Sequence, residues 1–233
     1  FQSGRDAGGK KTLRCCDTAG HRLPGGRHRR QGRLNSSCLC GMQRRIGLTG
    51  GIASGKSTVG RWLEARGWPV LDADQFARDT IGPGQPQTLA VLERYGEAVA
   101  NDGCSINRAA LGRIVFTDPS ERAWLEQLIH PVVRERFDQA LDALQDAPVV
   151  VLMIPLLFEA GLMGLCSEIW LVDCDEQQQL ARMMQRDGLD AMQARARLDA
   201  QWPLARKRPL ADRLIDNRGS VEELEQQLNR YAQ

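Results

Sequence analysis

Residues Gly50 to Ser57 form the pattern G-x-x-x-x-G-K-S, and no other feature restricts the fold of this chain as strongly. The short apolar run at residues 45–48 leads directly into the pattern, and Val59 and Leu63 follow it at helical spacing. A phosphate-binding loop needs this order of strand, loop and helix. The pattern therefore predicts an α/β domain in which strands of a parallel sheet alternate with helices.

The residue types of this loop suit the phosphate chain of a nucleotide. Glycines let backbone N–H groups converge on phosphate oxygens, and the N-terminus of the following helix adds partial positive charge. We expect Lys56 to contact the β- and γ-phosphates and Ser57 to bind Mg²⁺. A glycine-rich turn that only caps a helix is the alternative interpretation, and the Lys-Ser pair in register argues against it. The predicted nucleotide-binding residues are Gly50, Gly51, Ala53, Ser54, Gly55, Lys56, Ser57 and Thr58.

Two classes of nucleotide-binding protein do not fit the rest of the sequence. A GTPase needs the guanine-reading pattern N-K-x-D, which is absent. A motor ATPase needs a buried strand that ends in a metal-binding aspartate, but the apolar run at residues 149–154 continues into Pro155 and ends near Glu159. Small-molecule kinases remain, and ATP is the predicted phosphoryl donor.

A pair of carboxylates follows the second predicted strand, residues 69–71. Asp72 and Asp74 are expected beside the phosphate-binding loop, because ligands of such sheets bind at the carboxyl ends of the strands. Alternation along an extended chain predicts that both side chains lie on the same side. One carboxylate can then accept a proton from an attacking hydroxyl, and the other can hold Mg²⁺. A helix N-cap at Asp74 is the alternative interpretation.

Composition excludes several other classes. The chain has 233 residues, 42% apolar and 26% charged, which predicts one soluble globular domain, or one such domain with a substantial insertion. No apolar run approaches the ~18 residues of a membrane span. The net charge of +2 divides into +7 for residues 1–41 and −5 for residues 42–233, which argues against a protein that coats nucleic acid. The isolated Cys104, Cys166 and Cys174 favour the reducing cytoplasm.

Residues 1–41 are rich in Gly, Arg and Ser and show no apolar periodicity, which predicts a disordered basic extension. Because Met42 lies directly before the first predicted strand, a start codon placed too far upstream is one explanation of this extension. A basic arm for RNA is an alternative. A zinc site is another, but the C-C and C-x-C spacings do not match those of structural zinc sites; its ligands would be Cys15, Cys16, His21, His28, Cys38 and Cys40.

Taken together, the motifs resemble those of the dephospho-CoA kinase family, from about Met42 to the C-terminus. The glycine-rich loop is shared by many families, whereas the other motifs in this order are far more specific. The resemblance rests on Leu48-Thr49-Gly50-Gly51-Ile52, Ser54-Gly55-Lys56-Ser57-Thr58, Asp72-Ala73-Asp74, Ile129-His130-Pro131, Pro155-Leu156-Leu157-Phe158-Glu159, Gln185-Arg186-Asp187 and Ile215-Asp216-Asn217.

The resemblance implies transfer of the γ-phosphate of ATP to the ribose 3′-hydroxyl of dephospho-CoA, the last step of coenzyme A synthesis. It implies a P-loop three-layer α/β fold with a five-stranded parallel sheet. A helical acceptor-binding insertion over about residues 75–145 and a lid over about residues 182–208 complete the expected domain, residues 42–233. The expected cofactors are ATP and Mg²⁺, and the expected protein is a cytoplasmic monomer that binds neither nucleic acid nor membrane.

The resemblance also implies roles for individual residues. Asp74 is the expected base or positioning group for the acceptor hydroxyl, and Lys56 belongs to the phosphate cradle. Arg186 matches a lid arginine that stabilises the transferring phosphoryl group. Ser57 and Asp72 are the candidate residues for the metal.

For some other residues the sequence allows either a functional or a structural role, and for others it favours a structural role. Arg182 is either a second lid arginine or part of a solvated helix face, and the run at residues 206–208 either grips phosphates or faces solvent. His130 precedes Pro131, where we expect a helix to break, and is expected to be structural. Ala53 stands where the family often has Gly, and we expect the loop to tolerate it if its φ is negative.

Two other functions remain open at this point. A kinase of another nucleoside or nucleotide would use the same phosphate cradle with a different acceptor pocket. A nucleotide-regulated RNA-binding protein would use the basic N-terminal arm, although the rest of the chain is net acidic.

Overall fold

The computed structural model describes residues 43–101 and 105–232. The predictions made for residues 1–41 and for Cys104 lie outside the described residues. Within them, no helix is long and apolar enough to cross a bilayer.

A five-stranded parallel sheet forms the centre of the domain, and its strands lie side by side in the order Val70–Asp72, Val149–Met153, Arg44–Gly50, Glu168–Asp173 and Arg213–Asp216. This confirms the predicted sheet and its parallel direction. The first strand lies in the middle, so the loop that follows it emerges at the centre of the sheet's carboxyl edge. In chain order, the strands of the described residues are β1 (Arg44–Gly50), β2 (Val70–Asp72), β3 (Ala100–Asn101), β4 (Ser105–Ile106), β5 (Val149–Met153), β6 (Glu168–Asp173) and β7 (Arg213–Asp216). Of these, β3 and β4 pair with each other outside the five-stranded sheet.

Helices cover both faces of this sheet, which gives three layers. The bounds of the helices are α1 (Lys56–Glu64), α2 (Ala73–Thr80), α3 (Pro86–Tyr95), α4 (Arg108–Thr117), α5 (Pro119–Ala143), α6 (Glu176–Asp187), α7 (Ala191–Asp199), α8 (Leu204–Lys207) and α9 (Val221–Tyr231). On one face, Leu63 of α1 and Leu228 of α9 pack around the fully buried Trp170. On the other, Phe137 of α5 packs with Leu152 and Leu171.

The segment between β2 and β5 is helical, as predicted, with α2 to α5 in sequence. Its apolar residues form a separate small core that includes Val91, Val99 and Leu111. The sequence did not predict the antiparallel pair β3–β4, in which Ala100 pairs with Ile106. These strands have two residues each, too short for alternation to be recognised.

The expected break before Pro131 is wrong, because α5 runs through this proline without interruption. Proline has no N–H to donate to the carbonyl four residues earlier, so one hydrogen bond of the helix is missing. Packing on both sides offsets this loss: Ile129 before the proline and Phe137 and Leu141 after it are buried. Tertiary contacts thus override the tendency of proline to end a helix.

We predict that Pro131→Ala increases the free energy of unfolding by about 2 kcal/mol. A mid-helix proline costs about 3 kcal/mol, and its restriction of the unfolded chain offsets up to about 1 kcal/mol of that cost. Urea denaturation measures the change. Pro119→Ala is the matched control, because Pro119 occupies the first turn of the same helix, where no hydrogen bond is lost. Equal stability of the two variants would contradict the prediction.

Candidate active site

The glycine-rich loop connects β1 to α1, and two of its glycines touch neighbouring amide side chains. A Cβ on Gly51 would clash with Nε2 of Gln179. A Cβ on Gly55 would clash with Nδ2 of Asn217, and Gly55 also has a φ of +97°. A side chain at either position would displace the amide group beside it, and Gly55 favours glycine for its backbone conformation as well.

Ala53 has a φ of +57°, and no other described residue except glycine has a positive φ. The condition under which we expected the loop to tolerate alanine, a negative φ, is therefore not met. The left-handed conformation brings Cβ close to the following carbonyl oxygen, which costs roughly 1–2 kcal/mol. The loop holds this strained residue because its neighbours on both sides are fixed by hydrogen bonds.

Three amide side chains make those hydrogen bonds. Gln179 of α6 donates to the carbonyl oxygen of Ile52 at 2.7 Å, and Gln201 accepts from the N–H of Ile52 at 3.0 Å. Asn217, which follows β7, donates to the carbonyl oxygen of Ser54 at 2.7 Å. Only Asn217 belonged to a motif that the sequence singled out. The two glutamines could not be recognised, because they lie 127 and 149 positions away from Ile52.

Lys56 points into a cavity of about 490 Å³ that is lined by residues 53–58 together with Arg61, Arg182, Gln185 and Arg186. Burial lowers the pKa of Lys56, and the positive charges of Lys207 and Arg186 act in the same direction, whereas Asp74 and Asp72 oppose them. An anion placed in this cavity would offset the desolvation of the ammonium group. The cavity is therefore suited to the phosphate chain of a nucleotide.

Asp72 and Asp74 do not lie on one side of an extended chain, and this prediction was wrong. The chain turns immediately after β2, so that Asp72 is the N-cap of α2 and Asp74 lies in its first turn. Oδ1 of Asp72 accepts from the backbone N–H of Asp74 at 2.8 Å, so the N-cap is Asp72 and not Asp74. The turn nevertheless keeps the two carboxylates close enough to interact electrostatically.

Asp74 has no hydrogen-bond or ion-pair partner for its carboxylate among the described residues. Although its side chain is accessible, the surrounding protein limits its hydration, which raises its pKa, and the charge of Asp72 raises the pKa further. Lys56 and Arg78 oppose this shift. A carboxylate with free oxygens and a raised pKa is a good acceptor for the proton of a substrate hydroxyl.

The two arginines of α6 differ in their surroundings. Arg182 is not on a solvated face: it donates to the carbonyl oxygen of Asn217 at 3.0 Å, and its other amino group, Nη1, is buried without a hydrogen-bond partner. Arg186 is exposed at the cavity and forms two hydrogen bonds with Asp187, at 2.8 and 2.9 Å. Both guanidinium groups therefore border the predicted phosphate site.

The basic run at residues 206–208 is not a solvent-facing patch. Lys207 is fully buried (0% exposed), and its ammonium nitrogen lies 2.7 Å from Oε1 of Glu159. Arg208 pairs with the buried Asp173 at 3.0 Å. Only Arg206 is exposed, and its guanidinium stacks on the ring of Trp202 at 3.3 Å. A local run of charge gave no indication of these distant acidic partners.

An apolar cleft begins at Asp74 and follows α5. It consists of two adjoining cavities, of about 250 and 520 Å³, that share His130, Val133, Phe137 and Leu162. His130 is exposed in this cleft and is not a core residue, and its expected structural role stays a prediction. Among the apolar residues beside it in the sequence, Ile129 and Val133 line the cleft, whereas Leu128 packs against the small core of the helical segment.

The chain is similar to known proteins over most of its length. The family model for dephospho-CoA kinase matches residues 44–223. A dephospho-CoA kinase of Synechococcus sp. (strain CC9605) is 67% identical over 178 residues, which cover 76% of this chain and 86% of that protein.

Two solved structures are also similar. TT1252 from Thermus thermophilus has 38% identity and a TM-score of 0.71 over 82% of this chain and 96% of its own. A dephospho-CoA kinase from Campylobacter jejuni has 26% identity and a TM-score of 0.63 over the same shares.

We predict that Ala53→Gly increases the free energy of unfolding by about 0.5–1 kcal/mol. Glycine relieves the left-handed strain at φ +57°, and its greater freedom in the unfolded chain offsets part of that gain. Urea denaturation measures the change. The matched control is Gly67→Ala, because Gly67 has a φ of +81° and no atom lies within 4 Å of the position that the alanine methyl group would take. That variant should lose about 1 kcal/mol. Destabilisation by Ala53→Gly would contradict the argument.

Proposed function

The chain belongs to the dephospho-CoA kinase family, and we propose that Lys56, Asp74 and Arg186 carry the phosphoryl transfer that defines this family. The protein is an ATP-dependent kinase that transfers the γ-phosphate of ATP to the ribose 3′-hydroxyl of dephospho-CoA and releases CoA and ADP.

The phosphate chain of ATP binds in the loop between β1 and α1. The backbone N–H groups of residues 53–58 and the N-terminus of α1 supply donors and partial positive charge. Lys56 adds a full charge at the β- and γ-phosphates, and phosphate binding restores its pKa toward the ordinary value, because an anion opposes the desolvation. Arg182 and Arg186 border the same cavity, and Arg186 neutralises the transferring phosphoryl group.

Asp74 is the group that accepts the proton of the acceptor hydroxyl. Its carboxylate has no competing partner among the described residues, whereas that of Asp72 is already used as the N-cap of α2. Asp74 lines the apolar cleft, and its charge also acts on Lys56. A ribose placed at the mouth of the cleft therefore has a proton acceptor on one side and the nucleotide phosphates on the other.

The donor set around the loop fits a Mg²⁺ ion. The Ser57 hydroxyl is exposed at the phosphate cavity, and the half-buried carboxylate of Asp72 lies close enough to Lys56 to shift its pKa. Both are hard oxygen ligands, which Mg²⁺ prefers together with water and phosphate oxygens. When bound, the ion would neutralise charge on the phosphates, and Ser57 and Asp72 would hold it there.

The remaining elements are assigned by position. We propose that α2 to α5 hold the acceptor and that the region from α6 to α8 acts as a lid, which excludes water so that ATP is not wasted by hydrolysis. When the lid closes, the guanidinium group of Arg186 must leave the carboxylate of Asp187 and bind the phosphoryl group. The cytoplasmic location and the monomeric state stay predictions.

The observation that carries this proposal is the unpartnered Asp74 carboxylate between the phosphate cavity and the apolar cleft of the described residues. Its test is ADP release, measured in a coupled assay, with dephospho-CoA, adenosine, AMP and uridine as acceptors. We expect dephospho-CoA to have the highest kcat/KM, and NMR of the product should place the new phosphate on the 3′-oxygen. A preference for adenosine, AMP or uridine would overturn the proposal in favour of another nucleoside or nucleotide kinase.

We predict that Asp74→Asn lowers kcat by about 10²–10⁴-fold, because the amide cannot accept the proton in the transition state. KM for ATP should change little, since Asp74 does not line the phosphate cavity. Steady-state kinetics with dephospho-CoA measure both constants. Asp79→Asn is the matched control, because Asp79 is an exposed residue near the other end of the same helix. A near-normal kcat in Asp74→Asn would remove its assigned role.

A further inference from the structure

A second cleft, of about 660 Å³, lies between α4, the start of α5 and α7. It is therefore bounded by the proposed acceptor region on one side and by the proposed lid on the other. The two walls meet at the exposed ring of Phe116, which has the guanidinium groups of Arg122 and Arg197 at 5.7 and 5.6 Å from its centre. This cleft is distinct from the phosphate cavity and from the apolar cleft.

The charge of this cleft is unusual. Four arginines line it, Arg108, Arg113, Arg122 and Arg197, and no carboxylate of the described residues does. Only Arg197 forms an ion pair, with Asp187 at 3.2 Å; the other three have none among the described residues. Arg108 and Arg122 donate to the backbone carbonyl oxygens of Arg78 and Val115, at 3.0 and 3.3 Å, which leaves their charge uncompensated.

Contacts connect this cleft to the reacting groups. The carbonyl oxygen that Arg108 binds belongs to Arg78, which lies one helical turn after Asp74 on α2. On the opposite wall, Asp187 pairs with both Arg197 and Arg186, and Arg186 lines the phosphate cavity. The uncompensated charge thus lies near the site of transfer, on the acceptor side of it.

The acceptor contains the anion that such a cleft requires. In dephospho-CoA, the ribose that carries the reacting 3′-hydroxyl also carries a 5′-diphosphate, so this diphosphate must lie near Asp74 during transfer. The loop after β1 is then occupied by the phosphates of ATP, and the apolar cleft is lined where it begins by the carboxylates of Asp74 and Glu126, which repel a diphosphate. Guanidinium groups bind phosphate oxygens through paired hydrogen bonds.

We infer that the cleft between α4 and α7 binds the 5′-diphosphate of dephospho-CoA through Arg108, Arg113 and Arg122, and so selects an acceptor that is a nucleotide diphosphate. The inference rests on the proposed function. It adds a specificity-determining subsite to the phosphate cavity and the apolar cleft.

Arg113→Gln tests the inference most cleanly, because Arg113 lines the cleft and its side chain has no hydrogen bond to lose among the described residues. We predict that this variant raises both Kd and KM for dephospho-CoA about tenfold, which corresponds to one charge-assisted hydrogen bond of ~1.4 kcal/mol. The kcat and the KM for ATP should stay within twofold. Isothermal titration calorimetry and steady-state kinetics measure these constants.

Three further measurements separate charge from structure. Arg113→Lys should recover part of the affinity, and Arg230→Gln should change nothing, because Arg230 is an exposed arginine of α9 outside the cleft. The dependence of log Kd on log salt concentration should be shallower for Arg113→Gln than for the wild type, since one ionic contact is lost. Combining Arg113→Gln with Arg122→Gln should weaken dephospho-CoA binding further.

The inference is overturned if both the single and the double variant bind dephospho-CoA within twofold of the wild type. A rise in KM for ATP, without one for dephospho-CoA, would also overturn it by assigning the cleft to the donor. Failure of the proposed function is a separate result, since it would appear in the wild-type protein as absence of phosphoryl transfer to dephospho-CoA.

Discussion

The conformation of the loop between β1 and α1 depends on hydrogen bonds from three distant amide side chains. Gln179, Gln201 and Asn217 bind the backbone at Ile52 and Ser54, on either side of the strained Ala53. The backbone of such a loop lacks the repeating backbone hydrogen bonds of a helix or a sheet. The three amide side chains supply hydrogen bonds to it instead. Because Gln179 and Gln201 belong to the proposed lid region, the shape of the nucleotide site and the position of that region are physically connected.

The electrostatics of the site depend on two lysines, the only ones in residues 42–233. Lys56 faces the phosphate cavity, and Lys207 is buried behind it against Glu159, which follows β5. A buried pair of this kind is costly to form and is weak evidence for stability. Its effect is local: Glu159 also accepts from the N–H of Trp202 at 3.1 Å, so one carboxylate ties the segment after β5 to the start of α8. Lys207 also keeps a positive charge close to Lys56. The two charges together favour the binding of an anion in the phosphate cavity.

The sequence predicted those features that a short stretch of chain determines. The strand–loop–helix order, the strands near residues 45, 69 and 149 and the identity of Lys56 follow from local patterns, and the structure agrees with the parallel sheet that they and the resemblance predicted. The failures have a common physical cause. The φ of Ala53, the continuity of α5 through Pro131 and the burial of Lys207 depend on partners far away in the sequence. The roles of Asp74 and Arg186 still rest on the family resemblance and on position, because a local motif specifies a residue type and not its partners.

The proposed acceptor side of the site has an apolar cleft and a basic cleft, and the acceptor likewise has uncharged parts and a charged diphosphate. The apolar cleft is lined by Asp74 in the first turn of α2, and Arg108 of the basic cleft donates to the carbonyl oxygen of Arg78 on the same helix, so both clefts contact the element that carries the proposed proton acceptor. Asp187 lies where the donor and acceptor sides meet, because it pairs with Arg186 of the phosphate cavity and with Arg197 of the basic cleft. A phosphoryl group that draws Arg186 away leaves Asp187 paired with Arg197 alone. Under the proposed roles of Arg186 and of the basic cleft, charge neutralisation at the transferring group and charge balance at the acceptor subsite are linked through the single carboxylate of Asp187.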